Sequence, residues 1–153
     1  MRVVWEREVP VEKVVVSPRP VWKCRGCPMY GKRPSCPPYA PDWREAREWI
    51  KHFKRALLIK FEIEIEHFEE EKREIILYLL QKEKELFKKG KLYALALFPG
   101  SCSLCEDCPF ERGEPCRFPT KVRPSLDAIG IEIVSLVDLN FSENALYSMV
   151  FVE

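Results

Sequence analysis

Hydrophobic residues in positions 2–16 are mostly valine, interrupted by charge, a pattern that predicts one or two short strands, with Pro10 confining them to an edge or a break. From Ser17 to Pro41 the periodicity disappears. Pro18, Pro20, Pro28, Pro34, Pro37, Pro38 and Pro41 interleave with Cys24, Cys27 and Cys36. Proline lacks a backbone donor and clashes within a helix, so this stretch reads as a long loop that something other than secondary structure must order. Order returns at Asp42, which can cap a helix with Glu45 three residues on; Trp43, Ala46, Ile50 and Phe53 form its apolar stripe.

Leu57, Ile59, Phe61, Ile63 and Ile65 then alternate with Lys60, Glu62, Glu64 and Glu66, which predicts a strand with one buried and one wet face. A long helix follows from about Phe68 to Lys89. Glu69, Glu70 and Glu71 suit its N-terminal end, Lys88 and Lys89 its C-terminal end, and Gly90 stops it. Leu92 to Phe98 is apolar at every second and intervening position and reads as a central strand running directly into Pro99-Gly100-Ser101-Cys102. A short helix is expected from Pro124 to Gly130. Ile131–Val137 and Ala145–Val152 close the chain as a hairpin across Asn140–Asn144. Together these elements predict one α+β domain over residues 1–153, a mixed sheet with helices mainly on one face and cysteine-rich loops at about 18–41 and 99–123.

Composition narrows the function. A hydrophobic content of 46% supports a real core, and no apolar run is long enough for a membrane span. Residues Met1–Trp5 carry no secretory pattern, so the cytoplasm is the expected compartment. With 32% charged residues but a formal net charge of +1, the large basic excess of a general nucleic-acid binder is missing. Lys, Glu and Ile abound while Asn and Gln are scarce, the usage of proteins from hot environments, where seven cysteines are expected to have a job.

Those seven cysteines fall into two groups. Disulfides in a heat-adapted cytosol are one reading, but an odd count leaves a thiol over, and neighbours at C-x2-C spacing make strained bridges. Cys102-x2-Cys105-x2-Cys108 followed by Cys116 is the most specific feature. Thiolates so spaced can wrap a cubane iron–sulfur cluster, [4Fe–4S] in type, although the fourth cysteine stands farther on than in bacterial ferredoxins. Gly100 and Gly113 can supply the wrapping. Arg117, Lys121 and Arg123 can offset charge that Glu106, Asp107, Glu111 and Glu114 increase. Zinc is the alternative, although structural zinc sites usually pair two separated knuckles.

Cys24-x2-Cys27-x8-Cys36 offers only three thiolates. A zinc knuckle completed by His52, His67 or another donor, ligands exchanged between the two cysteine segments, and a cluster with one iron left open to substrate all remain open readings. Lys23, Arg25, Lys32 and Arg33 lie within this loop without an intervening acid, so they could bind an anion or simply neutralise thiolates. Tyr30 and Tyr39 could donate to such a ligand, but packing is their ordinary role, as it is for Trp22 and Trp49. His52 and His67 lack a metal-binding setting. No phosphate loop, dinucleotide fingerprint or Ser-His-Asp arrangement is present.

The run Cys24-Arg25-Gly26-Cys27-Pro28-Met29-Tyr30-Gly31 leading to Cys36-Pro37-Pro38-Tyr39, with Phe98-Pro99-Gly100-Ser101-Cys102-Ser103-Leu104-Cys105 and Pro115-Cys116-Arg117-Phe118-Pro119, resembles a prokaryotic family of predicted metal-binding proteins. The likeness extends through Arg123-Pro124-Ser125-Leu126 to Gly130-Ile131. It implies metal binding at both cysteine groups and supplies no reaction. The leading expectation is therefore an iron–sulfur redox protein. The four-cysteine cluster would act as relay, and the three-cysteine site would transfer electrons or reduce a small substrate. Its partners would be a redox protein or a small anionic substrate, and a homodimer is permitted. A zinc-stabilised, non-enzymatic binding module is the alternative.

Overall fold

Strands β1 (Arg2–Pro10), β2 (Arg55–Glu62), β3 (Leu95–Ala96) and β4 (Ala145–Phe151) form one sheet in the order β1-β2-β4-β3 in the computed structural model, which describes residues 1–153. The α+β class holds. Every strand pairing is antiparallel where a mixed sheet was expected, and the single parallel contact is an isolated bridge between Phe98 and Ser125.

β2 is central and buried on both faces over its first half. Ala56 and Leu58 point to one side, with Met149 and Phe151 of β4; Ile59 and Phe61 point to the other, with Val150. Each face therefore needs a cover. Helix α2 (Trp43–Ile50) packs Ala46 and Ile50 on the first, and helix α3 (Phe68–Lys88) packs Ile75 and Leu79 on the second. The helices are thus divided between the faces rather than gathered on one. Phe61, Phe98 and Phe151 are fully buried, each contributing roughly 1.5–3 kcal/mol relative to exposure. No helix is long and apolar enough to cross a membrane.

The Asp42 carboxylate accepts the Arg44 backbone N–H at 2.9 Å and caps α2 as expected. Gly90, at φ +93°, ends α3 in the left-handed region. Four expectations change. The proline-rich loop contains a short helix α1 (Arg19–Cys24), because Pro18 and Pro20 sit at its first turn, where the missing donors are not needed. The tryptophan on α1, Trp22, is exposed beneath the Arg25 guanidinium, while Trp49 packs on Phe53 and Phe151. Leu92–Phe98 is not a central strand: only Leu95–Ala96 pair, at the sheet edge, and Ala96, Leu97 and Phe98 are buried because the chain folds over them. The Glu83 carboxylate accepts the Ala96 N–H, and Pro124 to Leu126 bond Phe98 on both its N–H and its carbonyl. Finally, Ile131–Val137 is no strand. Ile131 bridges Val16 instead, Ile133–Ser135 is a 3-10 turn, and no terminal hairpin forms.

Candidate metal centre

The first cysteine loop is ordered by successive backbone turns. Cys24 ends α1 and its carbonyl accepts the Cys27 N–H; the Cys27 carbonyl accepts from Tyr30, and the Gly31 N–H reaches across to Pro37. Gly31 adopts φ +71°, a conformation that glycine takes without strain. The chain thereby doubles back and brings Cys36 toward Cys24 and Cys27, whose thiols lie within electrostatic reach of one another.

The second loop leaves β3 and is held by the first turns of α3. Lys72, only 3% exposed, donates to Ser101 Oγ at 3.0 Å; Arg73 Nε donates to the Ser103 carbonyl at 2.9 Å. The Ser103 hydroxyl donates to Glu69 at 2.6 Å. Farther along, a 3-10 turn at Pro109–Arg112 ends at Gly113, φ +79°, and the Arg117 guanidinium donates to the Asp107 carbonyl at 2.8 Å. Cys108 and Cys116 come within electrostatic reach of Cys102, with Cys105 half-buried on the same loop.

The two loops meet. Ser35 Oγ accepts the Cys102 backbone N–H and lies 3.7 Å from the Cys36 sulfur, all of it buried. Arg33, from the same turn, donates to the Cys102 carbonyl and pairs with Glu111, both at 2.5 Å. Its charge reaches the sulfurs of Cys36, Cys102 and Cys108. Arg33 thus turns inward, whereas Lys23, Arg25 and Lys32 stay on the surface. Tyr39 stands edge-on to Phe110, which ties the loops together at a second point. His52 and His67 are exposed, His52 beside Glu48 and His67 beside Glu70.

All seven cysteines are free thiols. Burial pushes the Cys24 thiol up to about 11, with the negative charge of Asp127 and then of Cys36 and Cys27 adding to it. Burial likewise raises Cys36 and takes Cys102 to about 11. One sulfur in each loop accepts a backbone N–H from the residue two positions ahead, Cys27 from Met29 and Cys116 from Phe118, each at 3.4 Å. No three Cys, His, Asp or Glu donors converge on one ion-sized point.

Ser35, Lys72 and Asp127 were not singled out by the sequence. Nothing in their local surroundings marks them, because each reaches the cysteine loops through a contact between distant segments. Asp127 lies on a 3-10 turn, Asp127–Ile129, packed against α1.

The family model described as "Predicted metal-binding protein (DUF2284)" matches residues 7–148, and the chain belongs to that family. No curated protein matches, and no solved structure matches.

Proposed function

We propose that this member of a predicted metal-binding family is an iron–sulfur redox protein. Cys102, Cys105, Cys108 and Cys116 would hold one cluster, and Cys24, Cys27 and Cys36 would hold a second. The observation that carries the reading is the pair of backbone amides donating to the Cys27 and Cys116 sulfurs, one in each loop, hydrogen bonds of the kind that tune a cluster's potential. A bound cluster supplies one-electron chemistry at a potential set by charge, sulfur hydrogen bonds and burial.

The protein's own residues would contribute three things. Ser35 and Arg33 fix the two thiol groups against one another. Arg33 and Lys72 put positive charge beside sulfurs that are negative when ligated, which favours the reduced state. Burial of Cys36, Cys102 and Cys108 excludes water from part of both groups.

Anaerobic purification followed by iron, zinc and acid-labile sulfide analysis tests the reading. Iron with matching sulfide supports it. Near-stoichiometric zinc without sulfide would assign the cysteines to a zinc-stabilised binding module instead.

A further inference from the structure

Helix α3 has two apolar faces. Ile75 and Leu79 point into the sheet, whereas Leu77, Leu80, Lys84 and Phe87 recur at three- and four-residue spacing along an outer stripe. That stripe forms one wall of a groove of about 480 Å³; Leu92 with Thr120, Lys121 and Arg123, just beyond Cys116, face it. Leu77, Phe87 and Leu92 are 50%, 57% and 59% exposed, so the groove leaves several large apolar side chains open in one place.

The polar lining is one-sided in charge. Glu83 is its only carboxylate and is already taken: Arg123 grips it in a fork at 2.7 and 3.0 Å, and the Ala96 N–H donates to it at 2.8 Å. Lys84 and Lys121 are exposed and form no ion pair; the Lys121 ammonium lies 5.1 Å from the centre of the Phe118 ring. Leu80 lines the groove and also packs against the buried apolar group of Ile76, Phe98 and Cys102, so the groove adjoins the surroundings of the second cysteine loop. An apolar groove flanked by unpaired lysines is complementary to a surface that sets an apolar side chain among carboxylates. Its small size suits the weak, short-lived encounters of electron-transfer proteins.

We propose that this groove is the docking surface for an acidic one-electron carrier protein, which reduces the cluster held by Cys102, Cys105, Cys108 and Cys116. This rests on the iron–sulfur reading above and adds the partner's chemistry and its place of contact. One electron leaves the carrier's reduced centre and enters the four-cysteine cluster; no bond forms or breaks. The lysines speed the encounter, which salt therefore slows, while Leu77, Phe87 and Leu92 hold the docked partner by apolar contact. Leu80 stands between the docked carrier and the apolar group that contains Cys102.

The test uses the full-length chain, purified anaerobically as wild type, Lys84→Glu and Phe87→Ser. Iron and labile sulfide are counted, and reduction by a plant-type [2Fe–2S] ferredoxin, an acidic carrier, is followed by stopped-flow absorbance at low and high salt. Each rate is divided by that for photoreduced 5-deazaflavin, a small molecule that needs no docking. The expected result is a wild-type rate that falls about tenfold from low to high salt, and a loss of about tenfold in each variant at low salt. The salt dependence should weaken in Lys84→Glu and persist in Phe87→Ser. Wild-type protein without labile sulfide would sink the iron–sulfur reading, and this proposal with it. Clusters present, with ferredoxin rates equal in all three proteins or indifferent to salt, would overturn the docking surface alone. A wild-type chain that dimerises in light scattering while Phe87→Ser stays monomeric would give the groove to a second copy and likewise overturn it.

Discussion

The backbone N–H of Cys102 donates to the hydroxyl of Ser35 at 2.8 Å, in a fully buried position that joins segments 67 residues apart. Through this one bond the start of the C-x2-C-x2-C loop is held against the segment that carries Cys36. Removing the hydroxyl leaves a buried donor without a partner, a loss of about 1–3 kcal/mol. Ser35→Ala should lower the unfolding midpoint accordingly and reduce metal retention at both cysteine groups together. If the variant loses metal from one group only, the junction does not couple them.

Arg33 predicts a shift in potential. It places positive charge near Cys102, Cys108 and Cys36, so Arg33→Met should move the reduction potential of bound clusters to more negative values. Arg33→Lys keeps the charge but not the fork to Glu111 and the Cys102 carbonyl, and it should retain most of the potential while losing stability. Redox titration followed by spin resonance separates the two effects.

Metal loading should expel protons. The Cys24 and Cys102 thiols titrate near 11 in the metal-free fold, so at neutral pH each carries a proton that a metal must displace. Apparent affinity should therefore rise with pH across the range from neutrality upward and fall on acidification. Loading in weakly buffered solution with a pH indicator measures the release. An uptake without proton release would mean that these thiols are already ionised in the free protein.

Glu132 ties the segment that follows Gly130 to the helix that bears Cys24. Its carboxylate accepts from the Ser17 hydroxyl and from the Arg19 guanidinium, which holds its pKa below the ordinary glutamate value. The folded pKa is depressed, so the stabilisation is complete above the unfolded value of about 4.3 and disappears as pH falls through the lower, folded one. Glu132→Gln should be less stable than wild type at neutral pH, and the difference should narrow below about pH 4. Thermal melts across that interval give the answer directly.

Gly130 tolerates no side chain. At φ +87° a Cβ would stand 2.3 Å from the Ser17 carbonyl oxygen and 2.9 Å from the Trp43 Cβ. Gly130→Ala should cost about 3 kcal/mol or more, combining left-handed strain with backbone displacement. Because the Gly130 carbonyl holds the Ser17 N–H just ahead of α1, which carries Cys24, the first cysteine group should lose metal before the second.

What could be read from the chain and what could not divides on range. Helices α2 and α3 were legible, since Asp42, the Glu69–Glu71 run and Gly90 act on their own neighbours. The two cysteine loops were visible for the same reason. Prolines misled at Arg19–Cys24, where position in the first turn decides whether Pro20 breaks a helix or starts one. Leu92–Phe98 misled because burial beneath Pro124–Leu126 produces the same apolar run as burial within a sheet. Ser35 and Lys72 were beyond reach, as their roles arise from contacts with segments some 30 to 70 residues away.

The Glu83 carboxylate at Ala96 has one more effect. By occupying the free amide of β3, and with Arg123 paired to it at 2.7 Å, it closes that margin of the sheet to any incoming strand. The opposite margin, β1, is broken by a register shift between Val3 and Trp5 and carries Arg2, Glu6, Arg7 and Glu8. The sheet therefore terminates itself at both sides, and growth by strand addition is discouraged even when the cysteine loops are empty and loosened.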